Sequence, residues 1–374
     1  MKLDAYVTAL HALKEDDRLR GLKPRTGVNF ASNDYLALAS APRMNLAALG
    51  AGTPIGAGGS RLLRGNCEEH ESLQAEAVRF FGARTALFFG VGYVANFAHL
   101  TTLPQRGDLL VLESLVHASV HEGARAGRAD FQISVHNDSC SVENTIRDWR
   151  AKGGIARARI VVESLYSMDG DFAPLEDLVA IADRHDAFLI VDEAHATGVY
   201  GEQERELTAP CEGRENLLVV HTCGKALGAA GALVTASGVL RDFMVNRCRP
   251  FIFATAPSSL MAIAVRAALS ILQEESERQQ HLAKLVAFMH RQMRKRGWQS
   301  PSGSQIVPCI VGDNARAMRR ASALQARGFD IRDPRNAAAN GASWLRISLT
   351  LNVAEEDVLA MLDALIEETT NEAQ

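Results

Sequence analysis

The chain has 374 residues, of which 47% are hydrophobic and 22% are charged, and its formal net charge at pH 7 is −4. It can bury a large core, and it carries neither a basic stripe with interleaved aromatics nor a run near the ~18 apolar residues of a membrane span, so we expect no nucleic-acid or membrane partner. The six cysteines are scattered without a C-x-x-C pair and the amino terminus lacks an apolar signal run, so we expect no metal site and a reducing, cytoplasmic location.

Helical and extended patterns alternate along most of the chain. Residues 3–20 have the apolar spacing of an amphipathic helix, which we expect to end near Gly21 and Pro24. Helical stretches also occur at 94–100 and 175–185. Short apolar runs predict strands at residues 85–89, 108–112, 131–135, 159–163, 188–191 and 217–221. This alternation predicts a mostly parallel sheet with helices on both faces.

The pattern changes after Pro257. A long helix rich in Ala, Leu and Arg is predicted over residues 258–296. It is followed by predicted elements in the order strand (306–311), helix (315–327), strand (344–349) and helix (354–368). These elements predict a separate α+β module. The expected organisation is an N-terminal helix and arm at 1–40, a large domain at 41–273 and a small C-terminal domain at 274–374.

Residues with chemically active groups lie at or after the ends of the predicted strands. They are Gly92, His117, Glu163, Asp192, His195 and Lys225. In open parallel sheets, ligands bind at the carboxyl ends of the strands. This convergence predicts a binding site there more strongly than any one of these residues does.

Lys225 lies in the sequence His-Thr-Cys-Gly-Lys-Ala-Leu-Gly (221–228), directly after an apolar run. Taken alone, this window fits an ordinary βα turn. A lysine among small and apolar residues can also lose its charge and form a Schiff base with a carbonyl compound. The other strand-end residues favour the second interpretation.

Asp192 ends the most apolar of the predicted strands, and a carboxylate buried there is costly unless it is paired. The protonated ring nitrogen of pyridoxal 5′-phosphate (PLP) is one suitable partner, and proteins hold PLP with an Asp and a Schiff-base lysine. The imidazole of His117 could cover the ring. The turn at Gly92, between a strand and a helix, offers N–H groups to a phosphate. Each residue has an ordinary structural explanation alone, but the set favours PLP.

Seven motifs, taken in chain order, carry a resemblance to a known family. They are Ser-Asn-Asp-Tyr-Leu (32–36), Gly-Gly-Ser-Arg-Leu (58–62), Gly-Tyr (92–93), His-Ala-Ser (117–119), Glu163 with Ser-Met-Asp-Gly-Asp (167–171), Asp-Glu-Ala-His-Ala-Thr-Gly (192–198) and Thr-Cys-Gly-Lys (222–225). On these motifs the chain resembles the α-oxoamine synthase family of PLP-dependent enzymes, over about residues 20 to 365.

The resemblance implies the aminotransferase-like fold of PLP fold type I, with a mostly parallel central sheet, a smaller C-terminal domain and a homodimer with shared active sites. It implies that Lys225 holds PLP and moves protons, that Asp192 pairs with the ring nitrogen, that His195 bonds the phenolic oxygen and that His117 stacks on the ring. The other implied contacts are Gly92, Tyr93 and Thr222 to the phosphate, Thr255 to the phosphate in the partner's site, Ser167 beside the cofactor, and Arg20, Asn33 and Glu163 near the substrates.

The implied reaction is a decarboxylative condensation of an amino acid with an acyl thioester of coenzyme A or a carrier protein. Three departures from the family pattern leave the substrates open. The family's Arg-Pro-Pro-Thr-Val-Pro segment is replaced by Arg-Asp-Pro-Arg (332–335), so either Arg332, which we prefer because an isoleucine precedes it, or Arg335 would bind a substrate carboxylate. A Gly-x-Gly-Arg-Gly segment is replaced by residues 201–206, and Val91 stands where Ser is common.

Two other interpretations stay open at this point. The first is the same reaction class with other substrates, such as glycine with acetyl-CoA. The second is a non-catalytic sensor or scaffold domain of the same fold, which predicts a damaged Lys, Asp or His set. That set is intact in this sequence.

Overall fold

The structure, a computed structural model, describes residues 3–16, 18–49, 52–201, 205–298, 300–332 and 343–371. The described helices are α1 (Asp4–Glu15), α2 (Pro42–Leu49), α3 (Glu68–Phe81), α4 (Gly92–Thr102), α5 (Ala118–Ala126), α6 (Ser139–Ala151), α7 (Leu175–Arg184), α8 (Gly238–Arg247), α9 (Arg249–Ile252), α10 (Ser259–Glu274), α11 (Glu277–Lys295), α12 (Asn314–Ala326) and α13 (Glu355–Asn371). The strands are β1 (Val28–Asn29), β2 (Thr85–Phe89), β3 (Leu109–Glu113), β4 (Asp130–Ser134), β5 (Ala158–Glu163), β6 (Phe188–Asp192), β7 (Leu217–Thr222), β8 (Ala232–Ala236), β9 (Ile306–Gly312), β10 (Phe329–Asp330) and β11 (Ser343–Ser348).

Seven strands form the central sheet, in the order β2-β8-β7-β6-β5-β3-β4. Neighbouring strands from β4 to β7 are parallel, whereas β8 runs antiparallel to both of its neighbours, β7 and β2. The predicted α/β architecture with a mostly parallel central sheet is confirmed. The carboxyl ends of the parallel strands meet at one edge of the sheet, and this edge positions the candidate site.

The sheet is buried on both faces by two separate apolar clusters. On β3, Leu110 and Leu112 belong to one cluster, whereas Leu109 and Val111 belong to the other. Helices α4 and α5 contribute to the first cluster, and α6 and α7 contribute to the second. Side chains alternate between the two faces of a strand, so a strand covered on both faces is apolar at every position. This explains the unbroken apolar runs that predict the strands.

The chain divides into two compact units. The larger unit comprises Asn33–Ser167 and Asp171–Gln280, and it contains the seven-stranded sheet. The smaller unit comprises Met1–Ser32, Met168–Gly170 and His281–Gln374. In the smaller unit β9 pairs with β11 in the antiparallel sense, and the short β1 pairs with β10 in the parallel sense. The domain limits expected from the sequence stay predictions.

Two predicted helices need correction. The helix predicted over 3–20 ends at Glu15, because Glu15 and Asp16 place negative charge at its carboxyl end, where the helix dipole disfavours it. The helix predicted over 258–296 is two helices, α10 and α11, separated at Glu275 and Ser276. Serine is favoured directly before a helix, and the Ser276 carbonyl accepts a hydrogen bond from the Gln280 N–H at 3.2 Å.

The strand β8 is not predicted by the sequence pattern. It has only five residues, and it follows a segment rich in Gly and Ala that shows no clear period. Its place is decided by hydrogen bonds to β7 and β2 on either side. None of the described helices has both the length and the apolar content that crossing a membrane requires.

Candidate active site

Asp192 is the last residue of β6, and its carboxylate is buried. The Ala194 backbone N–H donates to Oδ1 at 2.9 Å, and the Asn96 side-chain amide donates to Oδ2 at 2.7 Å. These two donors offset much of the cost of burying the carboxylate and hold it in one orientation. A carboxylate fixed in this way can pair with a cationic group of a ligand.

Lys225 lies in the loop between β7 and β8, which are antiparallel neighbours. A strand, not a helix, follows Lys225, so residues 221–228 do not form the βα turn that is one interpretation of their sequence. The loop is closed by hydrogen bonds from Gly228 N to Lys225 O at 2.9 Å and from Cys223 N to Gly231 O at 2.9 Å. Gly228 has φ +62°, and an added Cβ would lie 2.4 Å from Ala39 N. The backbone around the half-buried lysine is therefore tightly packed.

Gly92 begins α4 directly after the extended residue Val91. An added Cβ at Gly92 would lie 2.6 Å from the Thr222 hydroxyl oxygen, so the two residues adjoin. The free N–H groups of the first helical turn and a hydroxyl thus converge at the end of β7. Tyr93 follows, with its ring 6.3 Å, centroid to centroid, from the His117 imidazole and edge-on to it. This arrangement fits the phosphate-binding turn that the sequence predicts.

His117 is the N-cap residue of α5, and its Nδ1 accepts a hydrogen bond from the Ser119 N–H at 3.2 Å. Burial lowers the pKa of His117, while the charge of Asp192 raises this pKa and the charge of Lys225 lowers it. His117 is therefore within electrostatic range of both Asp192 and Lys225. The imidazole is therefore neutral at neutral pH.

Glu163 is the last residue of β5, directly beside Asp192 in the sheet register. Its buried Oε2 accepts a hydrogen bond from the Ser167 N–H at 3.0 Å. Burial raises the pKa of Glu163 to about 8, the Asp192 charge adds to the rise, and the Lys225 charge opposes it. Glu163 is therefore largely a neutral acid at pH 7 and can donate a hydrogen bond.

His195 lies in the loop after β6 and is connected to Asn33 through a tyrosine. The Tyr35 hydroxyl lies 2.6 Å from His195 Nδ1, and it donates to Asn33 Oδ1 at 3.2 Å. The turn at Asn33 is held by Asp34, whose Oδ1 accepts from the Leu38 N–H at 2.9 Å. The sequence pattern Asn-Asp thus forms a turn and also brings Asn33 to the predicted cofactor residues.

Three further predicted site residues belong to other parts of the fold. Thr255 is exposed between α9 and α10 of the larger unit. Arg20 and Arg332 belong to the smaller unit, where both line one cleft of about 230 Å³ with Lys23, Ser322 and Gln325. The Arg332 guanidinium already pairs with Asp330 and donates from Nη2 to Pro24 O at 3.0 Å. Arg335, the alternative, lies outside the described residues.

Glu206 ends the segment 201–206, which stands in place of the family's Gly-x-Gly-Arg-Gly, and it is fully buried. One carboxyl oxygen lies 3.5 Å from Nδ1 of the equally buried His221. Burial raises the pKa of Glu206 well above its ordinary value and lowers the pKa of His221 to about 3, so both groups are neutral. Residue 206 therefore packs behind the strand that carries Thr222 and adds no charge to the pocket.

The structure adds Asn96, Ser119 and Tyr35 to the candidate site. Asn96 donates to Asp192, Ser119 contacts His117, and Tyr35 contacts His195. The sequence carries a signal for Asn96, because a polar residue one turn after Gly92 lies among the apolar residues Ala95, Phe97 and Ala98. Ser119 and Tyr35 lie within the recognised motifs, but their positions alone do not assign them roles.

The sequence profile of aminotransferase class I and II matches residues 25–365. The chain belongs to this family. Among curated relatives, the 8-amino-7-oxononanoate synthase of Chromobacterium violaceum is 37% identical over 349 residues, which covers 92% of this chain and 88% of that protein. The enzyme of the same name from Cupriavidus taiwanensis is 39% identical over 363 residues, with the same coverage of 92% and 88%.

Solved structures of family members have the same fold. Serine palmitoyltransferase of Sphingomonas wittichii superposes with a TM-score of 0.89 at 25% identity, covering 99% of this chain and 98% of that one. The 8-amino-7-oxononanoate synthase of Francisella tularensis gives a TM-score of 0.79 at 23% identity, covering 93% and 99%. The chain is thus a PLP-dependent enzyme of the α-oxoamine synthase group, an acyltransferase with PLP fold type I.

The residues of the larger unit fit PLP. The backbone at Gly92 forms a turn that leaves no room for a Cβ beside the Thr222 hydroxyl, as a phosphate cradle requires. The buried carboxylate of Asp192 is oriented by hydrogen-bond donors, and both Asp192 and Lys225 are within electrostatic range of His117. When bound, PLP supplies an electron-withdrawing ring that stabilises negative charge on the attached substrate carbon.

Proposed function

We propose that this enzyme condenses L-alanine with a pimeloyl thioester of coenzyme A or a carrier protein, giving 8-amino-7-oxononanoate, the free thiol and CO2 for biotin synthesis. The observation that carries this proposal is the likeness to curated 8-amino-7-oxononanoate synthases, at 37% and 39% identity over 92% of the chain. The electrostatic influence of Lys225 and Asp192 on His117 supports it, because the proposed reaction needs these three groups near one another.

The residues of the pocket would hold PLP by charge, hydrogen bonds and stacking. Lys225 would bind the cofactor covalently through Nζ, and Asp192 would pair with the ring nitrogen. The ring would be covered by His117, whose neutral state favours stacking without charge repulsion. Four further contacts would fix the cofactor, with His195 at the phenolic oxygen, the Gly92 and Tyr93 backbone and the Thr222 hydroxyl at the phosphate, and Ser167 beside the ring.

Two side chains would handle protons and charge during the reaction. Lys225 Nζ would take the α-proton of the amino acid and return a proton after CO2 leaves. Glu163, held neutral by burial, would donate a hydrogen bond to the acyl oxygen as negative charge develops there. The charge of Asp192 next to Glu163 supports this role, because it keeps Glu163 protonated near neutral pH.

The proposed substrate contacts rest mainly on motif matches, whereas the proposed cofactor contacts also rest on distances and hydrogen bonds. Asn33 would contact the amino acid, and its link to His195 through Tyr35 supports a position near the cofactor. Arg20 and Arg332 would bind the substrate carboxylate. Their common cleft supports a shared role, although Arg332 would first have to release Asp330.

We also propose a cytoplasmic homodimer in which Thr255 reaches the phosphate of the partner's cofactor. Large apolar side chains are exposed near Thr255 in sequence and elsewhere on the larger unit, including Phe253 (69%) and Leu63 (82%). Their cover by a second copy of the chain would remove this apolar area from water.

The test pairs purified, PLP-loaded enzyme with alanine, glycine or serine and with pimeloyl-CoA, pimeloyl-carrier protein or acetyl-CoA. Thiol release and product mass are measured for each pair. We expect alanine with a pimeloyl donor to give the highest kcat/KM by at least about tenfold, a difference of about 1.4 kcal/mol in transition-state stabilisation. A preference for any other pair would refute the proposed substrates.

Lys225→Ala serves as the chemical control, with the exposed Lys284→Ala as its match. We expect Lys225→Ala to lose the yellow, borohydride-reducible chromophore and all thiol release above background, because no other group of the pocket is an amine. Lys284→Ala should keep both. A chromophore that persists in Lys225→Ala would mean that a different residue binds PLP.

One observation favours a second candidate, glycine with a short acyl-CoA that lacks a terminal carboxylate. The Arg332 guanidinium is neutralised by Asp330 within the chain, which leaves it less suited to a second carboxylate. Asp330→Asn separates the candidates. It should lower KM for a pimeloyl donor by freeing Arg332, whereas it should leave KM for acetyl-CoA unchanged.

A further inference from the structure

Asn96 is a buried amide on α4, whose other buried residues are apolar except for His99. It lies one turn after Gly92 on α4 and is 3% exposed, between the fully buried Ala95 and Ala98. A buried side-chain amide is costly unless its donors and acceptor are used. The hydrogen-bond partners of the Asn96 side chain therefore indicate its role in the site.

The amide nitrogen of Asn96 has two hydrogens, and each has an acceptor. Nδ2 lies 2.7 Å from Asp192 Oδ2 and 3.1 Å from Ser119 Oγ. The amide oxygen lies 3.3 Å from Nε2 of His99. The reversed orientation would put the amide oxygen against the Asp192 carboxylate, where both groups are acceptors. Chemistry therefore settles the orientation of the amide.

His99 holds the amide in this orientation. It is fully buried, and burial, aided by the charge of Arg159, lowers the pKa of His99 to about 3. A neutral imidazole has one N–H, and the acceptor Asn96 Oδ1 requires it on Nε2. His99 Nδ1 is then an unprotonated nitrogen, which agrees with its lack of a hydrogen-bond partner among the described residues.

Ser119 connects Asn96 to His117 and fixes which nitrogen of the His117 imidazole is protonated. The Ser119 hydroxyl accepts from Asn96, so its own proton can point to His117 Nδ1, which lies 2.7 Å away. The Ser119 backbone N–H donates to the same nitrogen at 3.2 Å. With two donors directed at it, Nδ1 carries no proton, and the neutral imidazole is protonated on Nε2.

We propose that Asn96 is a positioning residue that fixes, through a single amide, both the Asp192 carboxylate and the His117 imidazole. The proposal rests on the proposed roles of Asp192 and His117 in holding PLP. One hydrogen of the amide sets the rotamer of the group that would face the ring nitrogen. The other amide hydrogen acts through Ser119 on the His117 imidazole, which would cover the ring, and sets both its orientation and its tautomer. The two contacts with the cofactor are thus adjusted together.

The first test compares PLP binding by Asn96→Ala, Ser119→Ala and the control Asn246→Ala, whose side chain is exposed on α8. PLP is titrated into each apo protein, and the visible absorption of the bound cofactor is followed against pH. Asn96→Ala should bind PLP at least about tenfold more weakly, with a shifted midpoint of the pH profile, because Asp192 loses a donor. Ser119→Ala should keep the midpoint, and Asn246→Ala should match the wild type.

Equal affinity and an equal pH midpoint for Asn96→Ala and wild type would overturn the proposal. A second measurement needs no variant. In apo protein labelled with 15N at histidine, His117 should show an unprotonated Nδ1 and a protonated Nε2, and the opposite tautomer would also overturn the proposal. Both readings are made without substrates, so a wrong amino acid or acyl donor in the proposed function would leave them unchanged.

Discussion

At the scale of single residues, the site contains two neighbouring carboxyl groups with different charge states. Asp192 and Glu163 are register partners at the ends of β6 and β5. Asp192 receives two N–H donors, from Ala194 and Asn96, whereas Glu163 is bonded by Ser167. Two adjacent buried carboxyl groups cannot both ionise at low cost, so the better-solvated one takes the charge. In the proposed site, the neighbouring strands would thus supply an anion for the ring nitrogen and a neutral acid beside it.

This difference predicts the pH dependence of stability. The pKa of Glu163 is raised to about 8 from the ordinary value of 4.5, so its favourable contribution is complete below pH 4.5 and is lost as pH rises through about 8. Between these values the folded protein binds more protons than the unfolded chain. The Tm of the PLP-free wild type should therefore fall as pH rises in this window. The Tm of Glu163→Gln should fall by less, because the glutamine stays neutral.

The measurement is the Tm from pH 5 to pH 9 by calorimetry, with the exposed Glu122→Gln as the matched control. The two curves should separate by a few degrees, because each kcal/mol corresponds to about 2–4 °C in a domain of roughly this size. Parallel curves for wild type and Glu163→Gln would show that Glu163 is already ionised in the folded protein.

At the scale of elements, the start of α4 leaves no free space beside Gly92. An added Cβ at Gly92 would meet the Thr222 hydroxyl at 2.6 Å, whereas one at Gly90 would meet nothing within 4 Å. Two elements distant in sequence, α4 and β7, therefore depend on one glycine for their approach. A phosphate held there would receive helix N–H groups and a hydroxyl at once.

Gly92→Ala should weaken PLP binding by at least about tenfold while the protein remains folded, because Thr222 or the first turn of α4 must move. Gly90→Ala should bind PLP like the wild type. The dissociation constants are measured by absorbance titration of the apo proteins, and circular dichroism checks the fold. Unchanged affinity in Gly92→Ala would exclude this turn as the phosphate site.

At the scale of the whole molecule, we propose that a second copy of the chain completes the site of the first. Thr255 is exposed, and so are Phe253 and Leu63. A dimer with shared sites allows two inactive variants to restore activity, because each would supply what the other lacks. Thr255→Glu, which would repel a phosphate, and Lys225→Ala are such a pair.

Mixed Lys225→Ala and Thr255→Glu chains should regain about a quarter of the wild-type activity after subunit exchange, since half of the random dimers hold one intact site. The assay is thiol release, and light scattering confirms the dimer. Each variant alone should stay nearly inactive. If Thr255 serves its own chain, the mixture will show no recovery.

Much of the fold could be predicted because its signals are local. The apolar runs of β2, β5 and β6 reflect strands that are buried on both faces. Burial on both faces requires consecutive residues to be apolar, and such a run is visible in the sequence. The strand β8 was not predicted, because hydrogen bonds to distant segments decide its place. The helix break near Ser276 was not predicted, because the helical pattern continues on both sides of it. Local pattern therefore specifies the elements better than it specifies their limits.

The sequence by itself determined the chemistry of this protein: a lysine, an aspartate and two histidines after strand ends, in the order of the α-oxoamine synthase motifs. Only the tertiary structure decided how these groups act on one another. Glu163 becomes a neutral acid because the fold buries it and the sheet register sets it beside Asp192, and Asn96 reaches Asp192 across 96 positions of the chain. The charge state and orientation of a side chain depend on its neighbours in space, and these neighbours cannot be read from the linear sequence.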